Sequence, residues 1–178
     1  MFPWQNELPL HLCRLGALLT GIMLITRNYY LFEITYFWGL GGAVQALLTP
    51  DIKEGFPHGV FLFFFIGHGL IFLGVVFATV NYKYKPTFKS MKKVFLLTNL
   101  YAIPLIPLNF VINSNYLFLR AKPAAVSILD FFLRPWPSYL IGMEVLMIIL
   151  FAVYYLPFAI LNRVNFNNQA ELVSATEG

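Results

Sequence analysis

Five long apolar runs, separated by short polar breaks, dominate the chain. They fall at about residues 8–26, 31–49, 59–80, 94–112 and 138–161. Each reaches or approaches the roughly 20 residues that a helix needs to cross a hydrocarbon core. The runs are continuously apolar, without the alternation of about ten residues that marks a barrel strand. Backbone amides in lipid must be satisfied within their own segment, so the pattern predicts helices. The first run is the weakest, because it contains His11 and Arg14. Among the breaks, Arg27-Asn28-Tyr29-Tyr30 reads as a tight turn and Thr49-Pro50-Asp51 as a breaker-rich one. Residues 81–93 carry five lysines, and 113–137 are too interrupted to span. The predicted fold is all-α, a polytopic membrane helical bundle of about five transmembrane helices over residues 1–162. The polar residues 163–178 are expected to form a mobile tail.

Composition strengthens the membrane assignment. Of 178 residues, 59% are hydrophobic and only 11% charged, where soluble domains carry about 25% charged residues. A water-soluble core of this size could not hide 19 Phe and 10 Tyr. The single cysteine, Cys13, excludes an intramolecular disulfide. Met1-Phe2-Pro3-Trp4 lacks the basic region and cleavage site of a signal peptide. Net charge is +4, and its placement matters more than its size. With Lys83, Lys85, Lys89, Lys92 and Lys93 in the cytoplasm, Arg27 and Arg163 join them, while Lys53, Arg120, Lys122 and Arg134 fall outside. The expected product is a multi-pass protein of the cell membrane, N-terminus outside and C-terminus cytoplasmic.

Under that orientation most polar residues of the spans share the outer half. His11, Cys13 and Arg14 open the first run, and Gln45 lies near the outer end of the second. His68 stands nine residues into the third, about 13 Å deep. Asn109 and Asn113 close the fourth, and Glu144 begins the fifth. Glu33 and Asn99 are exceptions near the inner end. An ionisable group at membrane depth costs at least about 2.5–3.5 kcal/mol unless paired or hydrated. A polar pocket opening toward the outer leaflet accounts for the set, with Arg14 and Glu144 as a natural ion pair. Snorkelling to the interface accounts equally well for His11 and Arg14, and His58 reads as a loop residue. Gly39-Leu40-Gly41-Gly42-Ala43 gives the second run a small face for close helix approach. Pro104 and Pro107 predict a kink in the fourth.

Much chemistry is excluded. There is no phosphate loop, no H-E-x-x-H, no paired cysteines and no G-x-S-x-G elbow. No cofactor is implied, and nothing supports nucleic-acid binding. A metal on His11, Cys13 and His68 is disfavoured, because i, i+2 spacing points the first two to different helix faces. The lysine loop reads as a solvated orientation signal, with contact to anionic lipid as the alternative. One constellation remains, a lone Cys13 with a deep His68, in which imidazole or the adjacent Arg14 could favour the thiolate. Simple packing of a small buried residue explains Cys13 too.

Leu8-Pro9-Leu10-His11-Leu12-Cys13 and the block from Tyr36-Phe37-Trp38-Gly39 through Leu48-Thr49-Pro50-Asp51 resemble the bacterial YwaF family of multi-span membrane proteins. The likeness continues through Phe64-Phe65-Ile66-Gly67-His68-Gly69, Asn115-Tyr116-Leu117-Phe118-Leu119, Lys122-Pro123 and Pro135-Trp136-Pro137, ending near Leu156-Pro157-Phe158. That family usually has another helix or two before the first block, so this chain looks like a short form. Arg134 also departs from the small residue expected there. The family is distantly similar to eukaryotic multi-span cysteine acyltransferases acting on phospholipids, which pair a cysteine on one helix with a histidine on another. The resemblance implies Cys13 as nucleophile and His68 as general base, with membrane lipid as substrate. Three functions stay open: a lipid acyltransferase or hydrolase, a transporter or receptor-like protein binding a small molecule through His11, Arg14, Gln45, Asn109 and Glu144, and a non-catalytic accessory protein. The sequence leaves oligomeric state open.

Overall fold

The computed structural model describes residues 8–122 and 135–176, which are helical with no strand among them. In chain order the elements are α1 (Leu12–Thr26), α2 (Tyr29–Trp38), a π-helical turn (Gly39–Ala43), α3 (Val44–Leu48), α4 (Gly59–Asn81), α5 (Phe88–Val111), a short 3-10 turn (Tyr116–Phe118) and α6 (Tyr139–Thr176). α2, the π turn and α3 form one rod, Tyr29–Leu48. This rod, α4, α5 and the Tyr139–Val164 part of α6 are long and apolar enough to cross a membrane. α1, with 15 residues, is the short member. At about 1.5 Å per residue it extends about 22 Å. Its first turn is lost from the predicted run because Leu8 and Leu10 are held outside the helix: Leu8 N–H donates to the Tyr116 hydroxyl, and the Leu10 carbonyl accepts from that of Tyr101.

Local chemistry sets the helix ends. α1 stops where Arg27 turns left-handed, at φ 53°, and its N–H returns to Met23. One residue later the Asn28 side chain accepts from Leu31 N–H and starts α2. Thr87 and Ser90 form a reciprocal capping box at the start of α5. α5 runs as one helix through Pro104 and Pro107, and α6 continues into the polar sequence as far as Thr176.

The rod is the centre of the bundle. Every residue from Phe32 to Trp38 is buried, packed among α1, α4, α5 and α6. Close contact is set by small residues: a Cβ on Gly39 would stand 3.0 Å from Ile71 and 3.2 Å from Val75 of α4. The other surface of α4, α5 and α6 is apolar and exposed, with Phe63 at 80%, Leu100 at 68% and Ile141 at 68%. Side chains of that size left open along three helices suit a hydrocarbon solvent, not water.

One end of the bundle is fastened by tyrosines. Tyr82 donates to the Leu24 carbonyl, Tyr84 to that of Arg27, and Tyr29 to that of Lys85. These bonds tie the α1–α2 turn to the lysine-rich α4–α5 connection. Just inside, buried Glu33 accepts from Ser90 (2.6 Å) and pairs with Lys93. Arg134, with the rest of 123–134, and residues 1–7 lie outside the described residues.

Candidate functional site

At the opposite end, a cavity of about 780 Å³ opens among α1, the rod, α4, α5, α6 and the turn after α5. Its lining includes His11, Cys13, Arg14, Gln45, His68 and Glu144. Six of the seven residues singled out from the sequence thus meet around one space. The seventh, Asn109, does not. It is fully buried, and its amide donates to the Tyr116 carbonyl while its oxygen accepts from Tyr116 N–H (2.7 Å) and the Ser114 hydroxyl (2.8 Å). Asn109 fastens the turn that follows α5.

Three features build the thiol's surroundings. His11 is the N-cap of α1, with extended backbone, so Cys13 is the second residue of the helix. The i, i+2 argument for divergence therefore does not apply to His11 and Cys13, because His11 lies outside the helix. His11 accepts no side-chain capping bond from that turn. The positive end of α1 thus lies beside the sulfur, and helix N-termini favour thiolates. The π-helical turn supplies the facing wall. Gly41 and Gly42 line the cavity, and a Cβ on Gly42 would lie 3.5 Å from the Cys13 sulfur. A π turn widens the helix by one residue and recurs at functional sites.

His68 enters from α4. Its Nδ1 lies 2.7 Å from the Phe64 carbonyl, and the two rings are 4.3 Å apart. A carbonyl only accepts, so Nδ1 carries the hydrogen in this contact, and Nε2 is the ring nitrogen outside that bond. Cys13 and His68 line the same cavity, and no hydrogen bond joins them.

Glu144 reaches across the bundle to α5. Its carboxylate accepts from the Asn99 amide (3.2 Å). Asn99, assigned to the inner end from the sequence, is at mid-length of α5, level with the deeper part of the cavity. Beside it Thr98 accepts from the Trp38 indole (2.8 Å), and both line the wall. The deep wall is otherwise apolar, with Phe37, Met147, Leu150 and Phe151. The lining therefore combines polar and apolar side chains. Among the described residues, no three His, Cys, Asp or Glu side chains stand close enough to hold a metal ion.

Comparison with known proteins adds a family. The model of the TMEM164 family matches residues 1–155. An uncharacterized protein of Treponema pallidum (strain Nichols) is 29% identical over 155 residues, covering 87% of this chain and 63% of the relative. The chain thus spans less than two thirds of that relative's length. No solved structure matches.

Proposed function

The chain belongs to the TMEM164 family of membrane proteins, and from that premise we propose that it is a lipid-directed cysteine acyltransferase. The observation that carries the reading is that Cys13 and His68 line one cavity whose walls are part polar and part apolar. The YwaF likeness and the distant similarity to phospholipid acyltransferases belong to the same reading. Nε2 of His68 takes the thiol proton, and the sulfur attacks the ester carbonyl of a phospholipid. The C–O bond breaks, and the departing lysophospholipid oxygen takes the proton back from His68. This leaves a thioester on Cys13. An acceptor hydroxyl then gives its proton to His68 and attacks the thioester, and the thiolate leaves and is reprotonated. Burial in apolar surroundings works against the thiolate while the α1 N-terminus works for it, which is why the step needs a base. Gln45, on the cavity lining, is the side-chain amide assigned as donor to the oxyanion.

The lysine-rich end faces the cytoplasm in this reading, and the cavity opens toward the outer leaflet of the cell membrane. A lipid substrate then enters sideways from the bilayer. Binding without reaction is the second function class, and it relies on Gln45 and Glu144 once Asn109 is committed to Tyr116.

Intact mass of the protein in lipid nanodiscs, after exposure to phospholipid acyl donors, is the test. The expected result is an acyl adduct on Cys13, lost in Cys13→Ala and formed at least 100-fold more slowly, on the order expected for a general base, in His68→Ala. A folded protein that forms no adduct across donor lipids, or forms it equally in both variants, overturns the reading. A Cys13→Ser variant that keeps full function while Glu144→Gln loses it would assign the cavity to binding alone.

A further inference from the structure

A thioester on Cys13 has two fates, attack by a lipid hydroxyl or attack by water. Transfer requires that the first win, and enzymes arrange this by shielding the reactive group. The cavity mouth carries a structure suited to that task. Leu117, Phe118 and Leu119, in the turn after α5, line the cavity with apolar side chains where a plain connection would place polar ones. Leu117 and Phe118 both have φ 56°, the left-handed region that bulky residues rarely adopt. Such a conformation persists only where its surroundings over-determine it, and it concentrates at functional sites.

The surroundings here come from several separate segments. Asn109 of α5 holds Tyr116 by both backbone groups. Tyr139, at the start of α6, donates to the Phe118 carbonyl, and the Trp136 indole donates to that of Leu119 (3.2 Å). The Tyr116 hydroxyl accepts from Leu8 N–H, ahead of α1. His11, two residues before Cys13, has its ring 5.0 Å from that of Tyr116 and 6.1 Å from that of Phe118. The turn is thereby anchored to α1, α5 and α6 at once, against the end of α1 that bears the thiol.

We propose that the Tyr116–Leu119 turn is a fixed apolar roof that decides the fate of the acyl group, directing it to a lipid acceptor by keeping water from the thioester. Phe118 is its specificity-determining residue. The proposal rests on the acyl-transfer reading of the same cavity. Both fates balance without another reagent: His68 takes a proton from the acceptor, its oxygen attacks the carbonyl, the C–S bond breaks, and the product is a new phospholipid or a free fatty acid. The roof selects between them.

The test follows the partition of the thioester in the full chain in nanodiscs, supplied with a phospholipid donor and a lysophospholipid acceptor. Free fatty acid and newly acylated phospholipid are measured per thioester formed. Phe118→Ala is expected to raise the ratio of fatty acid to transferred acyl by about tenfold, a differential barrier of about 1.4 kcal/mol. Phe118→Leu is expected to restore most of the wild-type ratio. Leu117→Gly, which suits a left-handed backbone, is expected to raise the ratio too, and it carries the test should Phe118→Ala fail to fold. An unchanged ratio in a folded variant that still forms the thioester overturns the roof. Absence of the thioester in the wild type overturns the acyl-transfer reading and the roof with it.

Discussion

The side chain of Asn109 meets both backbone groups of Tyr116 and the Ser114 hydroxyl in a site with no exposure. Removing it leaves a buried N–H, carbonyl and hydroxyl without that partner, and each orphaned group costs about 1–3 kcal/mol. Asn109→Ala is therefore expected to lower thermal stability by at least that amount, read as the unfolding midpoint in detergent. Asn109→Asp keeps an acceptor but loses the amide that donates to the Tyr116 carbonyl, so it should be destabilised as well. If Asn109→Ala instead melts with the wild type and fails only in ligand binding, the structural role is wrong. The sequence places Asn109 near the end of the fourth apolar run, but position along a helix says nothing about facing. His11, Cys13, Arg14, Gln45, His68 and Glu144 were legible because a polar residue in an apolar run needs a wet or polar neighbour. Leu117 and Phe118 gave no such signal. They are apolar residues among apolar residues, and only their backbone angles and anchors distinguish them.

Helices meet where side chains vanish. On α4, a Cβ at Gly74 would stand 2.5 Å from Thr20 and 3.4 Å from Leu24 of α1. On α1, a Cβ at Gly21 would meet nothing within 4 Å. Gly74→Ala is expected to destabilise the protein by about 1–3 kcal/mol through overpacking. Gly21→Ala should be neutral or slightly stabilising, because alanine favours the helix. Equal thermal shifts in the two variants would refute the claim that α1 and α4 touch through Gly74. The apolar runs at 59–80, 94–112 and 138–161 stand out because each ends in polar residues or proline. α5, however, starts ahead of its run, at Phe88, and α6 continues past its own to Thr176. Which face looks inward was not readable. In lipid both faces of a helix are apolar, so the 3.6-residue period that betrays a soluble helix is flattened. The same blindness hid the π-helical turn. Its glycines predict close approach in general, and Gly39 fulfils this against α4, but the widening that brings Gly42 to Cys13 is a backbone event without a side-chain signature.

The whole molecule has two unlike ends. One carries the lysines and the tyrosine fastenings, the other the cavity and its roof. The charge asymmetry predicts which end faces the cytoplasm. In a Cys13→Ser background, a cysteine placed at Lys89 should react with a membrane-impermeant maleimide from the cytoplasmic side of inverted vesicles and not from outside intact cells. The opposite labelling would invert the topology and with it the leaflet that supplies substrate. The fastened end has a mechanical consequence. The bundle resembles a pair of forceps whose pivot is the tyrosine-pinned, Glu33–Lys93-buttressed end. The jaws hold Cys13 and His68 on separate arms, α1 and α4, and the turn after α5 braces the arm that carries the thiol. A change in the angle between these two arms therefore changes the distance between thiol and imidazole directly.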